Sequence, residues 1–225
     1  HNAGFRKGVI GLSGGVDSAV AAYLAVKALG VENVVGVLLP YRTSNPASVA
    51  DAELVARELG IRSELVDISP MVDAYLQRAD GIDRVRAGNI MARQRMIVLY
   101  DIASREQALV IGTSNKTEIF LGYGTLFGDL ACAVNPLGDL YKTQVWQLAR
   151  ALGVPERLIE KKPSADLWEG QTDEDELGFT YAEADRLLFF MIDERRSVTA
   201  LQDMGFEPKL IERVRTMVIK NQFKR

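Results

Sequence analysis

Residues 7–18 read KGVIGLSGGVDS, and this stretch decides the fold. The apolar run 7–12 has the length of a buried strand, and Ser13-Gly14-Gly15 has the composition of a tight turn. A helical pattern follows over residues 18–29, with Gly30 placed to end the helix. The stretch therefore predicts a strand, a tight turn and a helix in direct succession.

Strands and helices continue to alternate after this first unit. The sequence predicts further strands at 34–39, 62–68 and 108–112, helices at 69–77 and 89–105, and one helix that ends at Leu59 before Gly60. Consecutive parallel strands need right-handed crossovers through such helices. We therefore expect an α/β fold with a doubly wound, mostly parallel sheet of about five strands and helices on both faces.

The C-terminal third has a different pattern. Helices are predicted at 143–152, 155–160, 181–194 and 208–221, with a long loop at 161–178. Residues 1–225 are interpreted as one domain with a helical C-terminal part. Because doubly wound sheets bind ligands past the carboxyl ends of their strands, the loops after Leu12, Leu39 and Ile111 should face one crevice.

Composition and charge exclude several classes of protein. The 225 residues are 48% hydrophobic and 25% charged, which is typical of soluble globular proteins. The 27 Lys plus Arg against 30 Asp plus Glu leave no basic surplus, so no nucleic-acid partner is expected. No apolar run reaches the length of a membrane span, and the single Cys132 is typical of a reducing compartment. We expect a cytoplasmic protein without a membrane anchor.

The turn after the first strand has the features of a phosphate-binding loop. Backbone N–H groups and the helix dipole at such a turn form an anion site. The candidate ATP-binding residues of this loop are Gly11, Leu12, Ser13, Gly14, Gly15, Val16, Asp17 and Ser18. No Lys follows the glycines, and a carboxylate such as Asp17 beside phosphates requires a cation, so Mg²⁺ is implied. The alternative is a tight turn without a ligand.

The loop Ser-Gly-Gly-x-Asp-Ser resembles the pyrophosphate loop of the N-type ATP pyrophosphatases, which cleave ATP to AMP and pyrophosphate. Further strings resemble motifs of one branch, the ammonia-dependent NAD synthetases, in order and approximate spacing. They are GNIMARQRM (88–96), GTSNKTE (112–118), DLYKTQV (139–145), KPSADL (162–167), QTDE (171–174) and NQFKR (221–225). The resemblance covers almost the whole chain.

The resemblance implies roles for residues on the ATP side of the site. Asp17 and Glu118 would hold Mg²⁺, while Thr113 and Ser164 would contact ATP. Lys142 would neutralise phosphate charge as pyrophosphate leaves. Two of these residues also have plainer interpretations. Glu118 has capping-box spacing from Asn115, and Lys142 alone is typical of a solvated lysine at a helix start.

The resemblance also implies roles on the acceptor side. Arg93 and Lys224 would contact deamido-NAD, and Asp129 would bind or deprotonate ammonium. Periodicity alone favours Arg93 as a surface residue of an amphipathic helix, and Asp129 could equally cap its loop. Four residues of the segment 122–133 depart from the family pattern: Gly124, Leu126, Leu130 and Ala133.

The activity implied is the ATP-dependent amidation of deamido-NAD to NAD, through an acyl adenylate. Free ammonia, or ammonia delivered by a separate protein, is the expected nitrogen source. Cys132 has no recognisable histidine partner, so it is not expected to act as a glutaminase nucleophile. The family forms homodimers, and the predicted helix 89–105 would suit such an interface, as it would ordinary core packing. Because of the altered acceptor segment, two alternatives stay open: an amide ligase for a different small carboxylate, and an ATP-binding module without catalysis.

Overall fold

The computed structural model describes residues 4–164 and 172–225 of the chain. Its sheet consists of strands β1 (Lys7–Gly11), β2 (Val34–Leu38), β3 (Arg62–Leu65) and β4 (Ala108–Ile111). All neighbouring pairs are parallel, in the order β3-β2-β1-β4. The chain adds strands outward from β1 to β3 and then returns to the other side of β1. The switch point of the sheet therefore lies between β1 and β4.

Helices surround this sheet and form the C-terminal part. The helices in the described residues are α1 (Val16–Leu29), α2 (Pro46–Leu59), α3 (Ser69–Leu76), α4 (Arg84–Glu106), α5 (Lys116–Leu121), α6 (Lys142–Leu152), α7 (Glu156–Ile159), α8 (Asp173–Leu177), α9 (Tyr181–Leu188), α10 (Val198–Asp203) and α11 (Pro208–Lys220). None of the helices in this part of the chain is long and apolar enough to cross a membrane.

The alternation of side chains along β1 builds a core on each face of the sheet. Ile10 packs with residues of α1, α2 and α6, whereas Val9 packs with residues of α3 and α4. Both side chains are fully buried, as expected for a central parallel strand covered by helices on both faces. The predicted doubly wound arrangement is therefore confirmed.

A third cluster of buried side chains supports the helical C-terminal part. It joins α5, α9, α10 and α11 through residues that include Leu121, Tyr181, Leu201 and Val214. Trp146 of α6 packs edge-on against Tyr181, with ring centroids 6.1 Å apart. This cluster packs α5 and α6 against α9, and both helices carry predicted site residues.

The sheet has four strands in the described residues, where about five were expected. Beside β4 the chain makes only an isolated parallel bridge between Ile111 and Val134, with Gly112 N donating to Val134 O at 2.7 Å. Pro136 follows two residues later and has no N–H for a continued ladder. The fifth strand is thus reduced to one bridge.

Several helix boundaries also differ from the predictions. The first helix starts at Val16 instead of Ser18, and α4 starts at Arg84, where Asp83 caps it, instead of at 89. The predicted helix 181–194 is α-helical only to Leu188, and a π-helical turn follows.

The short helices α5, α8 and α10 were missed because five or six residues show no helical periodicity. Within the predicted loop 161–178, Thr172 caps α8 by accepting a hydrogen bond from Asp175 N. Residues 165–167 of the KPSADL string, Gln171 of the QTDE string and His1 lie outside the described residues.

Candidate active site

One cavity of about 740 Å³ lies past the carboxyl ends of β1, β2 and β4, where the sequence predicts the crevice. Predicted site residues that line it are Gly11, Leu12, Ser13, Gly15, Val16, Asp17, Ser18, Thr113, Glu118, Asp129, Lys142, Ser164 and Lys224. Of the predicted set, Gly14 and Arg93 lie just outside this lining. The fold therefore collects residues from distant parts of the chain around one space.

The phosphate loop leads from β1 into the N-terminus of α1. Gly15 is the N-cap residue and offers no side-chain acceptor to the first turn of the helix. The hydroxyl oxygens of Ser13 and Ser18 lie 3.0 Å apart, and Ser18 Oγ donates to Gly15 O at 3.0 Å. The serines thus brace the loop, while the uncapped helix start faces the cavity as an anion site.

Gly14 is required by the close approach of the loop to α2. Its φ of +75° lies in the left-handed region. A Cβ at this position would lie 2.1 Å from the backbone oxygen of Ser48. Glycine therefore allows the loop to rest directly on the first turn of α2.

Three charged side chains meet beside the phosphate loop. Lys142 Nζ contacts Asp17 Oδ2 directly and lies 3.5 Å from Glu118 Oε1. These residues come from the starts of α1, α5 and α6, so the switch point of the sheet brings them together. The side chain of Lys142 is only 2% exposed, and its interpretation as a solvated lysine at a helix start is therefore wrong.

Asn115 connects the two sides of the switch point. Its Nδ2 donates to Asp17 Oδ1 at 2.9 Å, while its Oδ1 accepts from Glu118 N at 3.0 Å. Glu118 Oε2 in turn accepts from Asn115 N at 3.2 Å, which completes a capping box. One oxygen of Glu118 caps the helix while the other faces Lys142. The cap and the ligand role are therefore compatible in the same side chain.

Two partly buried carboxyl groups, Asp17 and Glu118, lie close together, and this makes it unfavourable for both to be ionised. Burial, together with the negative charge of Asp17, raises the pKa of Glu118 to about 8. Burial acts to lower the pKa of Lys142, but the charges of Asp17 and Glu118 outweigh it and hold that pKa above its usual range. A carboxyl group with a raised pKa next to a second carboxylate favours a cation at this place.

The donor set fits Mg²⁺ as an ion shared with phosphates. No group of three or more His, Cys, Asp or Glu side chains is arranged to hold a metal ion in residues 4–164 and 172–225. Mg²⁺ is commonly bound by one or two carboxylates, with phosphate oxygens and water completing its shell. Asp17 and Glu118 supply two such carboxylates at the mouth of an anion site.

A buried polar network on the side of Lys142 away from the cavity holds its backbone in place. Thr117 Oγ1 accepts a hydrogen bond from Lys142 N at 3.0 Å and donates to Asp185 Oδ1 at 2.5 Å. Asp185 Oδ2 accepts from Thr143 N at 2.7 Å. Thr117 and Asp185 are both buried, so α9 orients the starts of α5 and α6 together. Sequence analysis missed this network because its members are far apart in the chain.

The segment 122–133, which we call the acceptor loop, is pinned at several points. Arg93 Nε and Nη2 donate to Leu126 O at 3.3 and 3.2 Å, and Lys224 Nζ donates to the carbonyls of Gly122 and Gly124 at 2.7 and 2.9 Å. Asp129 Oδ1 accepts from Thr125 N at 2.9 Å, so Asp129 does cap the loop. These contacts give Arg93, Lys224 and Asp129 a structural role besides the predicted ones.

Two of the four departures in the acceptor loop compensate each other. A Cβ on Gly124 would lie 2.7 Å from Cδ2 of Leu130 and 2.9 Å from Oδ2 of Asp129. The Leu130 side chain therefore occupies the space that a side chain at 124 would need. Gly124 and Leu130 thus form a matched pair.

The sequence profile of the NAD synthase family matches residues 1–225. The chain belongs to the NAD synthase family. An NH(3)-dependent NAD(+) synthetase from Chlorobium phaeobacteroides (strain BS1) is 58% identical over 222 residues, which are 99% of this chain and 80% of that relative.

Solved structures of similar synthetases show the same fold. The NMN synthetase from Francisella tularensis is similar with a TM-score of 0.88 and 38% identity, over 100% of this chain and 88% of that one. The NH3-dependent NAD synthetase from Campylobacter jejuni, in complex with the nitrate ion, has a TM-score of 0.84 and 36% identity, over 99% and 88% of the two chains.

Proposed function

We propose that this member of the NAD synthase family amidates deamido-NAD to NAD with ammonia and ATP. The observation that carries the proposal is the convergence of Asp17, Glu118 and Lys142 beside the phosphate loop in the cavity. A loop for phosphates, two carboxylates for a cation and a buried ammonium are what pyrophosphate release requires. The enzyme is therefore a ligase that forms a carbon–nitrogen bond.

The reaction proceeds in two steps. First, the substrate carboxylate attacks the α-phosphorus of ATP, the bond to the bridging oxygen breaks, and pyrophosphate leaves. The loop residues Ser13 and Gly15 orient the β- and γ-phosphates, and Lys142 offsets the charge of the leaving group. Ammonia then attacks the acyl carbon and displaces AMP, and Asp129 is the proposed acceptor of the released proton. Thr113 and Ser164 hold ATP, and Arg93 and Lys224 shape the acceptor side.

AMP and pyrophosphate release by the purified protein tests this function. The assay contains ATP, Mg²⁺ and ammonium, with or without deamido-NAD, and follows NAD by mass spectrometry. We expect product only when deamido-NAD is present. ATP binding without AMP release under any tested acceptor would favour the non-catalytic alternative.

A second candidate acceptor is the corresponding mononucleotide, whose amidation would give NMN. The observation that favours it is the likeness to an NMN synthetase, combined with the exchange of Gly124 and Leu130 in the acceptor loop. The same assay with nicotinate mononucleotide separates the candidates. A kcat/KM higher for the mononucleotide than for deamido-NAD would reverse the ranking.

Mg²⁺ binding by Asp17 and Glu118 is part of the proposal. When bound, Mg²⁺ supplies neutralisation of phosphate charge. Glu118→Gln keeps the shape of the side chain and the cap but removes one anionic ligand. We expect the Mg²⁺ concentration for half-maximal rate to rise about tenfold. Glu174→Gln, on α8, is the control with an unchanged Mg²⁺ requirement. An unchanged Mg²⁺ requirement in Glu118→Gln would remove Glu118 from the ligand set.

A homodimer is the proposed assembly. The helix α4 turns Met96 and Leu99 toward the cavity and leaves Ile97 52% and Tyr100 41% exposed. Adjacent exposed apolar side chains on a long helix favour a partner surface. We expect sedimentation to give twice the monomer mass, and Ile97→Asp to shift the protein toward monomer. A monomeric unmodified protein would contradict the proposal.

A cytoplasmic location also stays a prediction. It is supported by the single Cys132, because a chain with one cysteine has no intrachain disulfide. Fractionation of cells that express the natural gene would test it, and recovery in a membrane or secreted fraction would overturn it.

A further inference from the structure

Lys161 lies at the end of α7, outside every motif role assigned above. Its Nζ donates to Gly14 O at 3.1 Å, to Ser48 Oγ at 3.1 Å and to Asp51 Oδ2 at 2.9 Å. One ammonium group thus joins the phosphate loop, the first turns of α2 and the segment that leads to Ser164. All three of its donor positions have a partner in the structure.

The contact with Gly14 determines the direction of a peptide group. In a trans peptide the carbonyl oxygen and the following N–H point in opposite directions. Gly14 O faces Lys161, so the N–H of Gly15 points the opposite way, toward the cavity. There it donates to Ser13 Oγ at 3.2 Å. A reversed peptide would present a carbonyl oxygen to phosphate and repel it.

The two residues that flank this peptide group, Gly14 and Gly15, are both glycines, so neither has a side chain that restricts its rotation. Gly14 has no side chain to resist rotation, and its φ of +75° is freely reached by glycine alone. Two hydrogen bonds therefore hold this peptide group, one from Gly15 N to Ser13 Oγ and one from Lys161 Nζ to Gly14 O, and the second is charge-assisted. The positive charge of Lys161 also adds to the field at the anion site.

We propose that Lys161 is a positioning residue that locks the Gly14–Gly15 peptide in the orientation that binds the phosphates of ATP. The inference rests on the proposed use of this loop for ATP. It adds Lys161 to that site as a residue that does not contact ATP itself but orients the backbone of the loop.

The fold should tolerate removal of Lys161. Asp51 is buried but has a second cationic partner, because Arg157 Nη2 lies 2.6 Å from its Oδ1. Lys161→Met keeps the aliphatic length of the side chain and leaves Asp51 paired. The variant should therefore remove the hydrogen bond to Gly14 without destabilising α2.

Mg²⁺-ATP binding without any acceptor, measured by calorimetry, tests the proposal. We expect Lys161→Met to weaken ATP affinity about tenfold and to raise the KM for ATP by the same factor, while the KM for ammonia stays unchanged. Lys161→Arg keeps a cationic donor and should recover most of the affinity. The omission of the acceptor keeps this result separate from the choice of substrate.

Arg157→Met is the matched control, since it removes the same charge and the same Asp51 partner without touching Gly14. We expect its ATP affinity to stay within about twofold of the unmodified protein. Unchanged affinity in Lys161→Met would overturn the proposal. Equal losses in both variants would also overturn it, because they would assign the effect to the Asp51 ion pairs.

Discussion

Replacement of Lys142 by Met is expected to lower kcat/KM about a thousandfold while the protein stays folded. Lys142 is the cation that contacts Asp17 and lies 3.5 Å from Glu118 at the edge of the phosphate loop. Its side chain is 2% exposed, so little water screens its charge. A leaving pyrophosphate would lose this fixed positive charge in the variant.

Loss of a buried charge usually destabilises a protein because its partner stays unpaired. In the Lys142→Met variant, Asp17 and Glu118 would still be stabilised in other ways. Asp17 and Glu118 are 18% and 16% exposed toward the cavity, and Asn115 still donates to Asp17. The raised pKa of Glu118, about 8, also allows this carboxyl group to take up a proton. We therefore expect a folded variant with a catalytic defect.

Lys116→Met is the matched control for Lys142→Met. Both lysines are the first residue of a helix, and Lys116 also forms an ion pair, with Asp193 at 2.8 Å. That pair lies outside the cavity lining, so the control should keep kcat/KM within about threefold. Steady-state kinetics with circular dichroism on both variants checks the prediction. A similar modest loss in both would assign Lys142 a structural role only.

The parts of the fold that depend on local pattern could be predicted from the sequence. The run 7–18 and Gly60 carry strong turn and cap signals, and the structure places β1, α1 and the end of α2 accordingly. The rule that doubly wound sheets bind ligands past the carboxyl ends of their strands then located the cavity correctly, because Leu12, Leu39 and Ile111 all line it. The family resemblance was needed to select Glu118 and Lys142 from ordinary helix-start residues.

The parts that depend on tertiary contact could not be predicted. Asp185 holds the starts of two helices from 42 and 68 residues away, and Lys161 reaches Gly14 across 147 residues. No spacing rule connects such pairs. The pairing of Gly124 with Leu130 is also a packing fact, which requires the shape of the acceptor loop. Sequence analysis could note that both residues depart from the pattern but could not explain why.

Replacement of Gly14 by Ala should have the second large effect, a loss of ATP affinity of at least about a hundredfold. An added Cβ would lie 2.1 Å from Ser48 O and 2.9 Å from Ser48 C, which are backbone atoms in the first turn of α2. Because α2 packs into the core through Ala52 and Val55, the helix cannot yield easily. The loop must move instead, and its N–H groups would lose their alignment with the phosphates.

A second glycine separates this clash from the cost of backbone conformation. Gly153 ends α6 with a φ of +78°, close to the +75° of Gly14, but a Cβ there would meet no atom within 4 Å. Gly153→Ala should therefore cost only about 1–2 kcal/mol of stability for a left-handed alanine and leave ATP binding unchanged. Thermal unfolding and Mg²⁺-ATP titration of both variants give the comparison.

If Gly14→Ala bound ATP as tightly as Gly153→Ala, the close contact of the loop with α2 would not be needed for phosphate binding. If both lost affinity equally, backbone strain would be the common cause. A loss confined to Gly14→Ala would mean that the contact between Gly14 and Ser48 fixes the phosphate loop. Lys161 bridges the same two residues through its hydrogen bonds to Gly14 O and Ser48 Oγ.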